Sequence, residues 1–136
     1  LSGVTYQTST VAGTGADETF VSGSGADSFT GGGGANTFIF GADVDVDSIT
    51  DFVTGTDKIE FGGAAGSATN FVDGLVAGDI ATAEALAEAN FDGTVIYAVV
   101  TVAGNDVVFY DKGADLDADA IVSLVGAPGI VFGDII

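Results

Sequence analysis

One turn is written three times near the start of this chain, as Gly13-Thr14-Gly15-Ala16-Asp17, Gly23-Ser24-Gly25-Ala26-Asp27 and Gly32-Gly33-Gly34-Ala35-Asn36. Glycine lets the backbone enter left-handed conformations and come close to an ion, and a carboxylate closing the turn offers a hard oxygen ligand, so calcium is the first ligand this chemistry suggests. Short repeats of Gly and Asp turns separated by an apolar strand residue predict a parallel β-helix, in which each repeat buries its apolar face only by stacking on its neighbours.

The phasing carries more than the motif. Phe20, Phe29 and Phe38 are nine residues apart and Val11 lies nine before Phe20, so the apolar position keeps strict time. Asp27 and Asn36 each stand two residues ahead of their Phe, whereas Asp17 stands three ahead of Phe20, which makes the first turn irregular. Side chains alternate along a strand, so Phe38 and Phe40 are expected inside and Ile39 outside. The competing reading is a flexible Gly/Ser-rich linker or a set of hairpin turns, and it gives no reason for Phe at a fixed period.

At these residues the chain resembles the RTX family of secreted calcium-binding β-roll proteins, whose consensus is Gly-Gly-x-Gly-x-Asp-x-apolar-x. The repeat Ser22 to Thr30 fits with Ser for the first Gly, and Gly31 to Ile39 keeps every Gly but has Asn36 for Asp. The repeat around Ala12 to Phe20 has Ala12 for Gly and one extra residue. The resemblance implies coils of two turns, with an ion held between a turn and the one two repeats later. That pairs Asp17 with Asn36, a weaker site for want of one charge, and pairs Asp27 with the Asp43, Asp45, Asp47 cluster. The implied ligand set is Gly13, Gly15, Asp17, Gly23, Gly25, Asp27, Gly32, Gly34, Asn36, Asp43, Asp45, Asp47 and Asp51.

A second resemblance runs from Asp47 to Phe61, similar to the Asp-x-Ile-x-Asp-Phe-x-x-Gly-x-Asp-Lys-Ile-Asp-Leu segment that closes the β-roll in serralysin-type proteases. It reads as two short strands, with Ile49 and Phe52 and then Ile59 and Phe61 as apolar pairs, joined by a turn over Thr54 to Asp57. The resemblance makes Asp47 and Asp51 ligands that complete the last site. Solvated strand-end carboxylates are the equally weighted alternative.

Beyond these segments the texture changes. The Ala-rich stretch predicts a helix at about 79–90 capped by Asp79 or Thr82, and Thr94 to Val102 with Asp106 to Tyr110 predict a hairpin around Ala103-Gly104-Asn105. A strand is expected from Ala120 to Val125. The segment from Asn105 to Gly126 resembles the terminal strand pair that follows RTX rolls. Its Asp111 to Asp119 loop alternates acidic residues, but it lacks the Gly and Glu of an EF-hand and is therefore read as exposed.

Composition narrows the function. Twenty acidic residues stand against Lys58 and Lys112 alone, a formal net charge of -18. That charge repels itself in a compact chain, welcomes divalent cations, and argues against nucleic acid and anionic lipid as partners. The 136 residues are 47% hydrophobic, enough for a core. Without His or Cys there is no Ser-His or Cys-His nucleophile and no imidazole zinc site, so the chain reads as non-catalytic. It has no run of eighteen apolar residues, and membrane insertion is not expected.

The expectation is a mainly β protein: a parallel β-roll over 1–42, with 1–11 a degenerate earlier coil, then a β-rich cap with one short α-helix over 43–136. Leu1 is not Met, so the chain reads as the C-terminal piece of a longer protein. The resemblance implies a secreted or bacterial cell-surface location and, as a partner, a type I secretion machinery that reads Gly133-Asp134-Ile135-Ile136 as part of a C-terminal signal. The extreme tail is not expected to be needed to cover the roll. The alternative function is a self-associating structural domain of a bacterial S-layer protein or adhesin, its subunits joined through calcium.

Overall fold

The computed structural model describes residues 9–136, so the segment of the degenerate coil read at 1–8 lies outside the described residues. Six short strands open the chain: β1 (Thr10–Ala12), β2 (Thr19–Val21), β3 (Ser28–Thr30), β4 (Thr37–Ile39), β5 (Asp43–Ile49) and β6 (Lys58–Glu60). Each Gly-rich turn reverses the path, so successive strands fall in opposite sheets and β1 to β4 each pair in parallel with the strand two further on. Thr10 lies opposite Ser28 and Thr19 opposite Thr37, a repeat of 18 residues. The next coil is longer, with Ser28 opposite Ser48 and Thr37 opposite Lys58. The phenylalanines at the strand centres meet between the two stacks. The Phe20 and Phe38 rings stack at 5.1 Å and Phe29 tilts against both. Phe38 and Phe40 are both buried with Ile39 turned outward, as alternation requires, whereas Val11 at the open end is exposed.

The rest of the chain supplies β7 (Phe71–Ala77), α1 (Ile80–Glu88), β8 (Tyr97–Val102), β9 (Asn105–Tyr110), β10 (Ala120–Leu124) and a 3-10 turn at Phe132–Asp134. Strand β10 pairs in parallel with β5, and β9 and β8 follow as an antiparallel hairpin. The result is one seven-stranded sheet in the order β1-β3-β5-β10-β9-β8-β7, facing the three-stranded sheet β2-β4-β6. The helix begins where Asp79 caps it, its carboxylate accepting the Thr82 N–H at 2.7 Å. Ala83 and Ala87 pack it on Val100, Phe109 and Ile121 of the outer sheet face. The protein is mainly β with one short helix, and its sheets are partly parallel. Among the described residues no helix is long and apolar enough to cross a membrane.

One apolar cluster runs across positions 42 and 43, from Phe20 through Phe61 and Tyr97 to Leu124, and β5 continues the stack of β1 and β3. One feature differs from the sequence expectation: the tail is built into that cluster. Ile135 is 1% exposed and bridges Ile59 of β6, so the last residues help cover the stacked parallel strands instead of standing apart from them. The apolar Ile at this position finds its burial at the open edge of β6, a long-range pairing that local sequence does not reveal.

Candidate functional site

Five side chains stand two residues ahead of a core residue: Glu18, Asp27, Asn36, Asp47 and Asp57, ahead of Phe20, Phe29, Phe38, Ile49 and Ile59. Alternation of the strands sends them to two edges. On one edge Asp47 Oδ1 accepts the Asp27 N–H at 2.8 Å, and Asp27 Oδ1 accepts the Ser9 N–H at 2.9 Å. On the other, Asp57 Oδ1 accepts the Asn36 N–H at 2.9 Å, and Asn36 Oδ1 accepts the Glu18 N–H at 3.0 Å. Each ties its coil to the main chain of the coil before it. A second carboxylate oxygen closes the local turn, Asp27 Oδ2 taking the Gly23 N–H, Asp57 Oδ2 the Val53 N–H and Glu18 Oε2 the Thr14 N–H. Asp27, Asn36, Asp47 and Asp57 are all buried, which these main-chain donors make tolerable.

The remaining residues singled out by sequence sit around these ladders. Asp17 accepts the Ala35 N–H at 2.7 Å, Asp43 accepts the Gly25 N–H at 3.2 Å, and Asp51 takes the N–H groups of Gly31 and Gly32. The turn of Gly13, Gly15 and Asp17 therefore lies against that of Gly32, Gly34 and Asn36, and the turn of Gly23, Gly25 and Asp27 lies against Asp43 and Asp47, with Asp45 exposed beside them. The stacking is close enough to forbid side chains. A Cβ on Gly32 would come within 2.0 Å of the Thr14 carbonyl oxygen and one on Gly34 within 2.4 Å of that of Ala16, and both glycines have positive φ. Every ligand atom on offer here is a hard oxygen, from the main chain, a carboxylate or the Asn36 amide, which suits calcium or magnesium and not a thiophilic metal.

The two edges differ in charge. Burial, and then repulsion from Asp27, Asp43 and Asp45, push the Asp47 carboxyl up to about 6 against the opposing pull of the Asp27 N–H. The other edge has Asn36 in the middle of its ladder. Its amide donates to the Gly33 carbonyl at 3.2 Å while accepting from Glu18, a pair of contacts that no carboxylate can make at once.

A second group lies in the loop that spacing alone reads as exposed. Asp111, Asp115 and Asp119 each place an oxygen within 4.8 Å of the other two, an arrangement that could hold a metal ion, and among the described residues they are the one such group. Asp115 is exposed, but Asp111 at the end of β9 is buried and accepts the N–H groups of Asp115 and Leu116 at 3.1 Å each. Burial raises the Asp111 carboxyl, opposed by those two donors and reinforced by the charge of Asp115. The loop doubles back on itself because Ala114 and Leu116 take positive φ, which spacing does not suggest.

Sequence reasoning passes over Glu18 and Asp57. Their signal is present: each stands two residues ahead of its core residue, the same offset as Asp27 and Asn36. Asp17, the more conspicuous acid, lies one place too early, and the longer Glu18 takes the ladder position. Neither the known protein-family models nor the curated proteins match this chain.

Proposed function

We propose that this chain is a non-catalytic calcium-binding module of the RTX type, a parallel β-roll with a β-rich cap that folds on calcium outside the cell and carries a type I secretion signal at its C-terminus. One observation supports this reading most: β1, β2, β3 and β4 each pair in parallel with the strand two further on, which stacks the Gly-x-Gly-x-Asp turns along two edges. Stacked turns gather main-chain carbonyls and carboxylates, the donor set of a calcium site. The Asp27, Asp43, Asp47 edge has the greater need of a cation, because Asp47 is buried there beside the like charges of Asp27, Asp43 and Asp45. The Asp111, Asp115, Asp119 group is a further oxygen site of the same class.

The test is folding against calcium. Circular dichroism of the chelated protein, titrated with calcium to millimolar levels, should show strand signal rising with the ion, since modules with relatively weak sites fill in that range. A spectrum that does not change between chelator and saturating calcium would reject the proposal and leave a pre-folded scaffold.

A further inference from the structure

The last four residues are tied into the cap through Asp134, Ile135 and the Ile136 main chain. The Asp134 carboxylate is buried and takes hydrogen bonds from the Thr54 hydroxyl, the Gly55 N–H at 2.9 Å, the Val131 N–H at 3.2 Å and the Lys58 ammonium at 3.2 Å. Lys58 also donates to the Gly133 carbonyl at 3.1 Å, so one of the two cations in the chain is committed to this clamp. Ile135 then enters the core, the Ile136 N–H bonds the Ile59 carbonyl at 2.9 Å and the Gly66 N–H bonds the Ile135 carbonyl at 2.9 Å. Each contact of Asp134 and Ile136 falls on Thr54, Gly55, Lys58, Ile59 or the tail itself. Those receptor residues belong to the final turn and strand of the parallel stack, and the receptor exists only once that coil has been laid down.

We propose that the tail is a folding-gated segment: the last coil captures Asp134 and Ile135 through a 3-10 turn and a single bridge to Ile59, so a protein partner reads these two side chains only while the stack is unfolded. The energetic logic is direct. A partner that reads the extended tail in the folded protein must first pull Ile135 out of the core and strip Asp134 of its donors, whereas in the unfolded chain both are free. Folding therefore acts as an off-switch on tail recognition. That a secretion machine is the reader rests on the function proposed above; that the fold hides Asp134 and Ile135 does not.

Amide hydrogen exchange on the unaltered protein tests both claims. In calcium the Ile136 amide should exchange at least about 100-fold slower than a free peptide, as expected for a bond that opens only with its surroundings. Its protection should vanish together with that of the Phe40 amide, which bonds the Glu60 carbonyl across the same sheet, when the stack is unfolded by chelator or urea. An Ile136 amide at free-peptide rates beside a protected Phe40 would overturn the proposal, as would protection of Ile136 that survives loss of the stack. If chelator leaves both amides protected and urea releases them together, the calcium reading fails and the gated tail stands.

Discussion

Changing Asn36→Asp replaces an amide by a carboxylate of the same shape at a site only 1% exposed. Without an ion the consequences are unfavourable. The Nδ2 donor to the Gly33 carbonyl becomes an oxygen facing an oxygen, a charge enters a buried site, and Asp57, which already accepts the Asn36 N–H, gains a like-charged neighbour. The bond from the Glu18 N–H survives and strengthens as its acceptor becomes charged, offsetting some of the loss. The balance is a destabilisation of about 2 kcal/mol where no ion is bound, from a lost hydrogen bond and an unsatisfied buried carbonyl. Calcium offsets this, because the new carboxylate is then a ligand. A tenfold gain in affinity stabilises by about 1.4 kcal/mol at saturating ion and should cancel most of the loss. Urea unfolding followed by circular dichroism, run on both proteins at the lowest calcium that folds them and in millimolar calcium, measures how the deficit shrinks. An equal deficit in the two conditions would refute the reasoning, since it would mean that no ion meets this edge.

The Asp47 carboxyl, near 6 when folded and about 3.9 when unfolded, makes the native state the better proton binder between those values. The strand signal that the metal-free protein retains should therefore fall as pH rises from about 4 through about 6, and Asp47→Asn should flatten that slope; a signal that climbs over this window would contradict it. Asp27→Ala should reduce calcium affinity, read by calorimetry, more than Asp115→Ala or Asp117→Ala, and the reverse order would move the principal site to the Asp111 loop. Gly32→Ala and Gly55→Ala share a positive φ, but only the first drives a Cβ into the facing turn, so it should cost upwards of about 3 kcal/mol against about 1 for the second; equal costs would show that the turns are not in contact. Size-exclusion chromatography with and without calcium checks self-association: on the proposed function the folded protein runs at one size at all concentrations, and calcium-dependent growth would favour the structural alternative.

The nine-residue beat of Phe20, Phe29 and Phe38 determined much of this protein without help from tertiary structure. A period of two within each strand and a Gly-rich reversal between strands leave the phenylalanines only one place to be buried, between two stacks, and the turns only two edges to occupy. The cap elements were also legible, since α1 follows from an Ala-rich run behind Asp79 and the β8–β9 hairpin from β-branched residues around Gly104. Long-range pairing decided the rest. Nothing local in Asp134 or Ile135 says that they will meet Thr54 and Ile59, about 80 positions earlier. Nor does the spacing of Asp111, Asp115 and Asp119 say that left-handed residues at 114 and 116 will fold them together. Local spacing sets which residues can share a face; which faces then meet depends on the edge and core area left uncovered by the rest of the chain, and only the assembled structure contains that.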